Sequence, residues 1–117
     1  MTTEQDCLFC KIVAGSIPAK LIFEDERAVA FRDINPQAPT HALVIPRAHI
    51  ASLAEAVEED EPLLGHLLRV AARVAREEGH AEGGYRTVIN TGPDAGQTVF
   101  HIHVHVLAGR TLTWPPG

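Results

Sequence analysis

Hydrophobic residues recur along this chain with two different periods, and the change of period lays out its elements. Between about Asp60 and Glu78, Leu63, Leu64, Leu67, Leu68, Ala71 and Val74 return every three or four positions, which makes one apolar stripe on a helix. Glu58 to Glu61 lie near its start, where the helix dipole favours acids, and Gly79 offers a C-terminal stop. Elsewhere the apolar runs are short. Leu21 to Phe23 and Ala28 to Arg32 flank Glu24-Asp25-Glu26-Arg27, a hairpin pattern without an Asn-Gly turn. His41 to Ile45 reads as a buried strand stopped by Pro46, Tyr85 to Asn90 alternates as a strand, and Val99 to Leu107 forms the last one. Cys7 to Ala14 reads as a short helix closed by Gly15. Ser52 and Glu55 have the capping-box spacing and open another short helix. Asp33 to Pro39 is a loop, because its two prolines exclude regular structure.

This order predicts an α+β fold: an antiparallel sheet with a short N-terminal helix and one long helix, the helices on one side. At 117 residues, 45% of them hydrophobic, the chain fits a single domain over 1–117 with an ordinary core. The formal charge of −5 argues against bulk nucleic-acid binding. Arg69, Arg73 and Arg76 recur at helical spacing and read as a solvated helix face. The first residues, Met1 to Asp6, are polar and acidic, unlike a signal peptide, and no apolar run is long enough for a bilayer. Cytoplasm and no membrane partner are the expectation. There, Cys7 and Cys10 are reduced thiols or metal ligands rather than a disulfide.

Seven histidines are many for this length, and three fall in His101-Ile102-His103-Val104-His105. On a strand, alternate side chains share a face. The three imidazoles therefore point one way, toward a cleft, while Ile102, Val104 and Val106 point to the core. Adjacent imidazoles sit about 6.6 Å apart at Cα, which could grip one ion, but all three on one metal would be strained. A nucleophile with flanking helpers fits better, since a neutral imidazole attacks phosphorus near pH 7 without a separate base. Just upstream, Gly92-Pro93-Asp94-Ala95-Gly96-Gln97-Thr98 can turn backbone N–H groups toward an anion, with the Thr98 hydroxyl as a further donor.

Gly96-Gln97-Thr98-Val99-Phe100 followed by the three alternating histidines resembles the histidine-triad signature. Asp33 to His41, the following Leu43-Val44-Ile45-Pro46-Arg47 and His49-Ile50, and the ending Trp114-Pro115-Pro116-Gly117 resemble its Hint branch. The likeness runs from Cys7 to Gly117. It implies the histidine-triad fold, a homodimer, and hydrolysis of purine nucleoside 5′-phosphoramidates to a nucleoside monophosphate and an amine. It makes His103 the nucleophile, with His105 and His41 supporting it. Asp33 would take the ribose hydroxyls. Asn90, Gly96, Gln97 and Thr98 would hold the phosphate, and Phe9, Ile17, Phe31, Ile34 and Leu43 would wall the base. Read without the resemblance, those five apolar residues are core. Ala95 stands where many relatives have glycine. Cys7-x-x-Cys10 is absent from many relatives; in some bacterial members such a pair, with the residues matching His49 and His101, binds a structural zinc. No cofactor is expected for the chemistry itself. The alternatives are a dinucleoside polyphosphate hydrolase, a nucleotide-binding regulator, and a metalloenzyme with its metal on the triad.

Overall fold

A computed structural model describes residues 6–117. Chain order is α1 (Leu8–Val13), β1 (Leu21–Glu24), β2 (Ala28–Arg32), β3 (Thr40–Pro46), α2 (Glu61–Glu77), β4 (Tyr85–Val88) and β5 (Val104–Ala108). The strands form one sheet in the order β1-β2-β3-β5-β4, and every neighbouring pair is antiparallel. The expected α+β fold is therefore present.

The β1–β2 turn does without Asn-Gly because Asp25 builds it: its Oδ1 accepts the Arg27 and Ala28 N–H groups, both at 2.8 Å. The other oxygen, Oδ2, lies 2.7 Å from His66 Nε2 and ties the turn to α2. Arg32 pairs with Glu78 at 2.8 Å at the far end of that helix. Gly79, at φ +90°, ends α2 as expected, and the His80 N–H returns to the Ala75 carbonyl at 2.9 Å.

The pleat sorts the core into two clusters. Ala28, Ala30, Ala42, Val44, Val104 and Val106 face α2, which meets them with Leu67, Val70, Ala71, Val74 and Ala75. The alanines on both surfaces allow close approach, and the larger residues fill the space between. Val29, Phe31, Leu43 and Ile45 face the opposite way and pack with Cys7 and Phe9 at α1. The two helices thus lie on opposite faces, not on one side, because α1 follows the odd-numbered residues of β2 and β3 and α2 the even ones.

Three further expectations change. The last strand begins at Val104, not Val99: β3 ends at Pro46, and the Ile102 N–H instead bonds the Ile50 carbonyl at 2.7 Å. Leu68 is 48% exposed while Val70 and Ala75 are buried, since Leu68 lies about 100° round the helix from Leu67. Ser52 makes no side-chain cap; a single 3₁₀ turn, Leu53–Glu55, follows it. A carboxylate cap forms nearby instead, where Asp60 Oδ2 accepts the Val57 N–H at 2.9 Å. Arg69, Arg73 and Arg76 are exposed, as the charge pattern suggested. Among the described residues, no helix is long and apolar enough to cross a membrane.

Candidate active site and metal centre

The alternation of the histidine segment survives its irregular start. His101, His103 and His105 lie on the α1 face, and Ile102, Val104 and Val106 on the α2 face. Their surroundings differ, however. His101 is 0% exposed and turns to the cysteines rather than to a cleft, so it leaves the group of three. His103 is nearly buried, with Phe9 edge-on at 5.1 Å between ring centres, and His105 is half-buried, its ring centre 5.0 Å from that of His103.

Backbone groups decide where each imidazole carries its proton. His103 Nδ1 lies 2.8 Å from the His101 carbonyl, which can only accept. The proton is therefore on Nδ1, and Nε2 keeps its lone pair. The Gln37 N–H, which can only donate, meets His41 Nδ1 at 3.0 Å. The His41 proton is then on Nε2, which lies 2.9 Å from His105 Nδ1 and 3.4 Å from Asp33 Oδ2. His105 thus accepts at Nδ1 and carries its own proton on Nε2. Strand register makes this chain: His41 stands opposite Leu107 and Leu43 opposite His105, so the two histidines are diagonal neighbours on one face.

Burial keeps these rings neutral. It lowers His105 to about 4, reinforced by His103 and His41 and opposed by Asp33. It also lowers His103, against the His101 carbonyl and Asp33, and lowers His41, against Asp33.

A cavity of about 300 Å³ opens beside His103 and His105. All five residues expected to wall a base line it: Phe9, Ile17, Phe31, Ile34 and Leu43. Asp33 and Thr98 line it too. Asp33 Oδ1 is engaged by the Asn35 N–H at 2.8 Å, which leaves Oδ2 turned toward His41. Leu8, Ile12, Pro18, Ala19 and Val99 also line the cavity. Nothing in their spacing separates them from ordinary apolar residues, so sequence reasoning missed them.

The glycine-containing turn departs from its expected role. Gly96 N–H goes to the Pro93 carbonyl at 3.0 Å and Gln97 N–H to that of Gly92 at 3.1 Å, so neither is free for an anion. The Gln97 side chain is buried and braces the turn: its amide donates to Ala51 and Val99 carbonyls at 2.8 and 3.1 Å and accepts from Gly92 N–H at 2.9 Å. Gly96 is nonetheless needed for the turn, at φ +85°. Asn90 is half-buried beyond β4 and does not line the cavity. Thr98 alone of this group reaches it.

Cys7, Cys10, His49 and His101 converge, with one ligand atom from each within 4.8 Å of all the others. Cys7 and Cys10 bracket the start of α1, where Cys7 Sγ also accepts the Cys10 N–H at 3.3 Å. His101 Nε2 lies 2.8 Å from the Pro46 carbonyl, so its proton is there and its Nδ1 lone pair faces the sulfurs. Burial, against that carbonyl and with the help of His49 and His103, lowers His101 to about 4. The Cys10–His49, Cys7–His101 and Cys10–His101 separations are 3.2, 3.3 and 3.4 Å, and the two Nδ1 atoms are 3.3 Å apart. Tetrahedral zinc at ordinary bond lengths needs about 3.5 Å between sulfur and nitrogen and about 3.3 Å between nitrogens. The donor set fits that ion. Asp33, His41 and His105 also cluster. They fit a metal poorly, because a metal on His41 Nε2 would force the proton onto Nδ1, against the Gln37 N–H.

A five-stranded antiparallel sheet holding an oriented imidazole over an apolar cavity defines the class: an α+β protein built around a histidine-bearing strand. The particular family follows, for residues 14–112 match the HIT domain, and the chain belongs to that family. It is 56% identical over 113 residues to an uncharacterized HIT-like protein of Synechococcus elongatus, covering 97% of this chain and 98% of that one. It is 54% identical over 112 residues to a 14 kDa zinc-binding protein of Zea mays, covering 94% and 87%. The crystal structure of a HIT family hydrolase from Legionella pneumophila matches with a TM-score of 0.93 at 53% identity, covering 95% of this chain and 99% of that one. A histidine triad protein from Clostridium difficile matches with a TM-score of 0.92 at 41% identity, covering 96% and 97%.

Proposed function

We infer that this protein is a Hint-type nucleotide hydrolase that opens the P–N bond of purine nucleoside 5′-phosphoramidates. One observation carries the reading: the 2.8 Å contact of His103 Nδ1 with the His101 carbonyl leaves Nε2 as a free nucleophile beside an apolar cavity. In this reading Phe9, Ile17, Phe31, Ile34 and Leu43 hold the base, Asp33 the ribose hydroxyls and Thr98 the phosphate. His103 Nε2 attacks phosphorus in line; the N–P bond to His103 forms as the P–N bond to the amine breaks. His105 Nε2–H lies on the same side and hydrogen-bonds the departing amine, which takes up one proton from solvent as the P–N bond breaks. Water then attacks the nucleotidyl-His103, the N–P bond breaks, and the nucleoside monophosphate leaves with one proton released to solvent and His103 neutral again. His41 Nε2–H, donating to His105 Nδ1, keeps the His105 donor hydrogen on Nε2. Cys7, Cys10, His49 and His101 hold a structural zinc, which when bound cross-links α1 to the histidine segment and takes no part in these steps.

Covalent trapping tests the assignment. With an adenosine phosphoramidate, wild type and His105→Ala should each yield a nucleotidyl adduct mapped by mass spectrometry to His103, and His103→Ala none. Assistance to proton transfer at the leaving group is worth up to about 10²–10⁴-fold, so His105→Ala, which loses the donor to the departing amine, should be slow but measurable. An adduct on His105, or faster turnover of a dinucleoside polyphosphate than of the phosphoramidate, would overturn the reading.

A further inference from the structure

The loop between β2 and β3 supplies two parts of the site: Asp33 itself and the Gln37 N–H that decides the His41 tautomer. Its internal bonds are short-range. Asn35 N–H reaches Asp33 Oδ1 at 2.8 Å, and the Gln37 side-chain amide reaches the Asn35 carbonyl at 3.1 Å. These bonds, with the Asp33 N–H to the His41 carbonyl at 2.9 Å, fix the start of the loop but not the position of Gln37.

The chain leaving β5 provides that fix, by two independent contacts. Gly109 has φ +98°, and a Cβ there would stand 2.8 Å from Pro39 Cβ and 3.1 Å from its Cγ. The absence of a side chain lets the backbone press directly on the end of the loop. Arg110 then donates from Nε to the Gln37 carbonyl at 3.1 Å, while its Nη1 donates to the Thr111 carbonyl at 3.1 Å. Anchored to the Thr111 carbonyl, the guanidinium is already oriented for Gln37. Gln37 is therefore held on both sides, its carbonyl by Arg110 and its N–H by His41.

We propose that Gly109 and Arg110 are positioning residues for His41, seating the loop so that the Gln37 N–H holds the His41 proton on Nε2. If Gln37 withdraws, His41 Nδ1 is free to take the proton, and the hold on Nε2 falls to Asp33 Oδ2, 3.4 Å away, and His105 Nδ1. His41 Nε2 would then present a lone pair to the lone pair of His105 Nδ1, 2.9 Å away. The contact survives only if His105 reverses as well, moving its proton from Nε2 to Nδ1. His105 Nε2 could then no longer donate toward the reacting group. Thus two residues that do not touch the cavity act, together with Asp33, on which nitrogen of His105 carries a proton.

The kinetic part of this inference rests on the hydrolase reading; the tautomer part does not. Both are tested in the full chain with Arg110→Ala, Arg110→Lys and Gly109→Ala. Arg110 is exposed, so its variants keep the core intact even if Gly109→Ala folds poorly. In Arg110→Ala the Gln37 amide should exchange about tenfold faster, the equivalent of one lost hydrogen bond. Imidazole ¹⁵N spectra should show His41 Nδ1 moving from the acceptor toward the protonated range. Turnover of the phosphoramidate should fall by about 3- to 30-fold, part of what acid–base assistance supplies, with KM within about twofold. Arg110→Lys, which can still donate to the Gln37 carbonyl, should recover much of the Gln37 protection. Unchanged Gln37 exchange and unchanged His41 shifts in Arg110→Ala would overturn the proposal. So would a loss of turnover with the His41 tautomer intact. Wild-type protein inactive on phosphoramidates would instead refute the hydrolase reading and leave the tautomer test standing.

Discussion

His101 uses both ring nitrogens and its carbonyl. Its Nδ1 faces Cys7, Cys10 and His49, its Nε2 the Pro46 carbonyl, and its own carbonyl orients His103. Sequence spacing placed it with the other two histidines, and its full burial separates it from them. His105, by contrast, keeps to the cavity, and its environment makes a pH prediction. Burial, with His103 and His41 nearby, holds it at about 4 when folded against 6.5 for a free imidazole. Between those values the unfolded chain binds a proton that the folded one refuses. The neutral ring's contribution to stability is complete above about pH 6.5 and shrinks as the pH falls toward 4. Imidazole NMR should show His105 neutral down to about pH 4; a midpoint near 6.5 would mean that the ring is open to water.

At the scale of elements, α2 tests how a hydrophobic stripe should be read. Leu67 and Leu68 are indistinguishable by composition, yet Leu67 is 1% exposed and Leu68 48%. Leu67→Ala should cost about 2–5 kcal/mol in denaturant unfolding, since it leaves a cavity under the sheet. Leu68→Ala should stay within about 0.5 kcal/mol, as surface changes do. Equal losses would refute the observed rotation of the helix. The six-residue α1 is too short to persist alone, and it carries Phe9, which meets Phe31 at 5.5 Å and His103 at 5.1 Å between ring centres. Zinc on Cys7 and Cys10 would hold that helix down. Removing metal with a strong chelator, or replacing Cys10 by serine, should lower Tm by at least about 5 °C and raise KM, because Phe9 walls the cavity. Metal-free protein with unchanged melting would end the zinc proposal.

For the whole molecule, the open question of association lies at β4. Among the described residues this strand is outermost and paired only with β5, and Tyr85 on it is 40% exposed. Beside it Trp114 is 79% exposed, with the Arg86 guanidinium 5.9 Å from its ring centre and also bonded to the Thr113 carbonyl at 3.0 Å. An unpaired edge with exposed aromatics is suited to a second copy of this chain. We expect a homodimer at micromolar concentration by light scattering, and a monomer there would refute it. The sequence by itself determined what depends on short-range periodicity and residue chemistry. The presence and order of the strands, though not the start of the last one, the helix that Gly79 ends, and the alternation of His101, His103 and His105 against Ile102, Val104 and Val106 were legible, because pleat and helical turn repeat within a few residues. The tertiary structure decided what depends on distant backbone. Ile50 drew Ile102 out of the ladder, Pro46 fixed the His101 proton, and Gln37 fixed that of His41. It also spent Gln97 on bracing a turn and brought Arg110 to Gln37. Carbonyls and N–H groups are the same in every residue. No pattern of side chains reveals which of them will meet a given imidazole until the chain has closed around it.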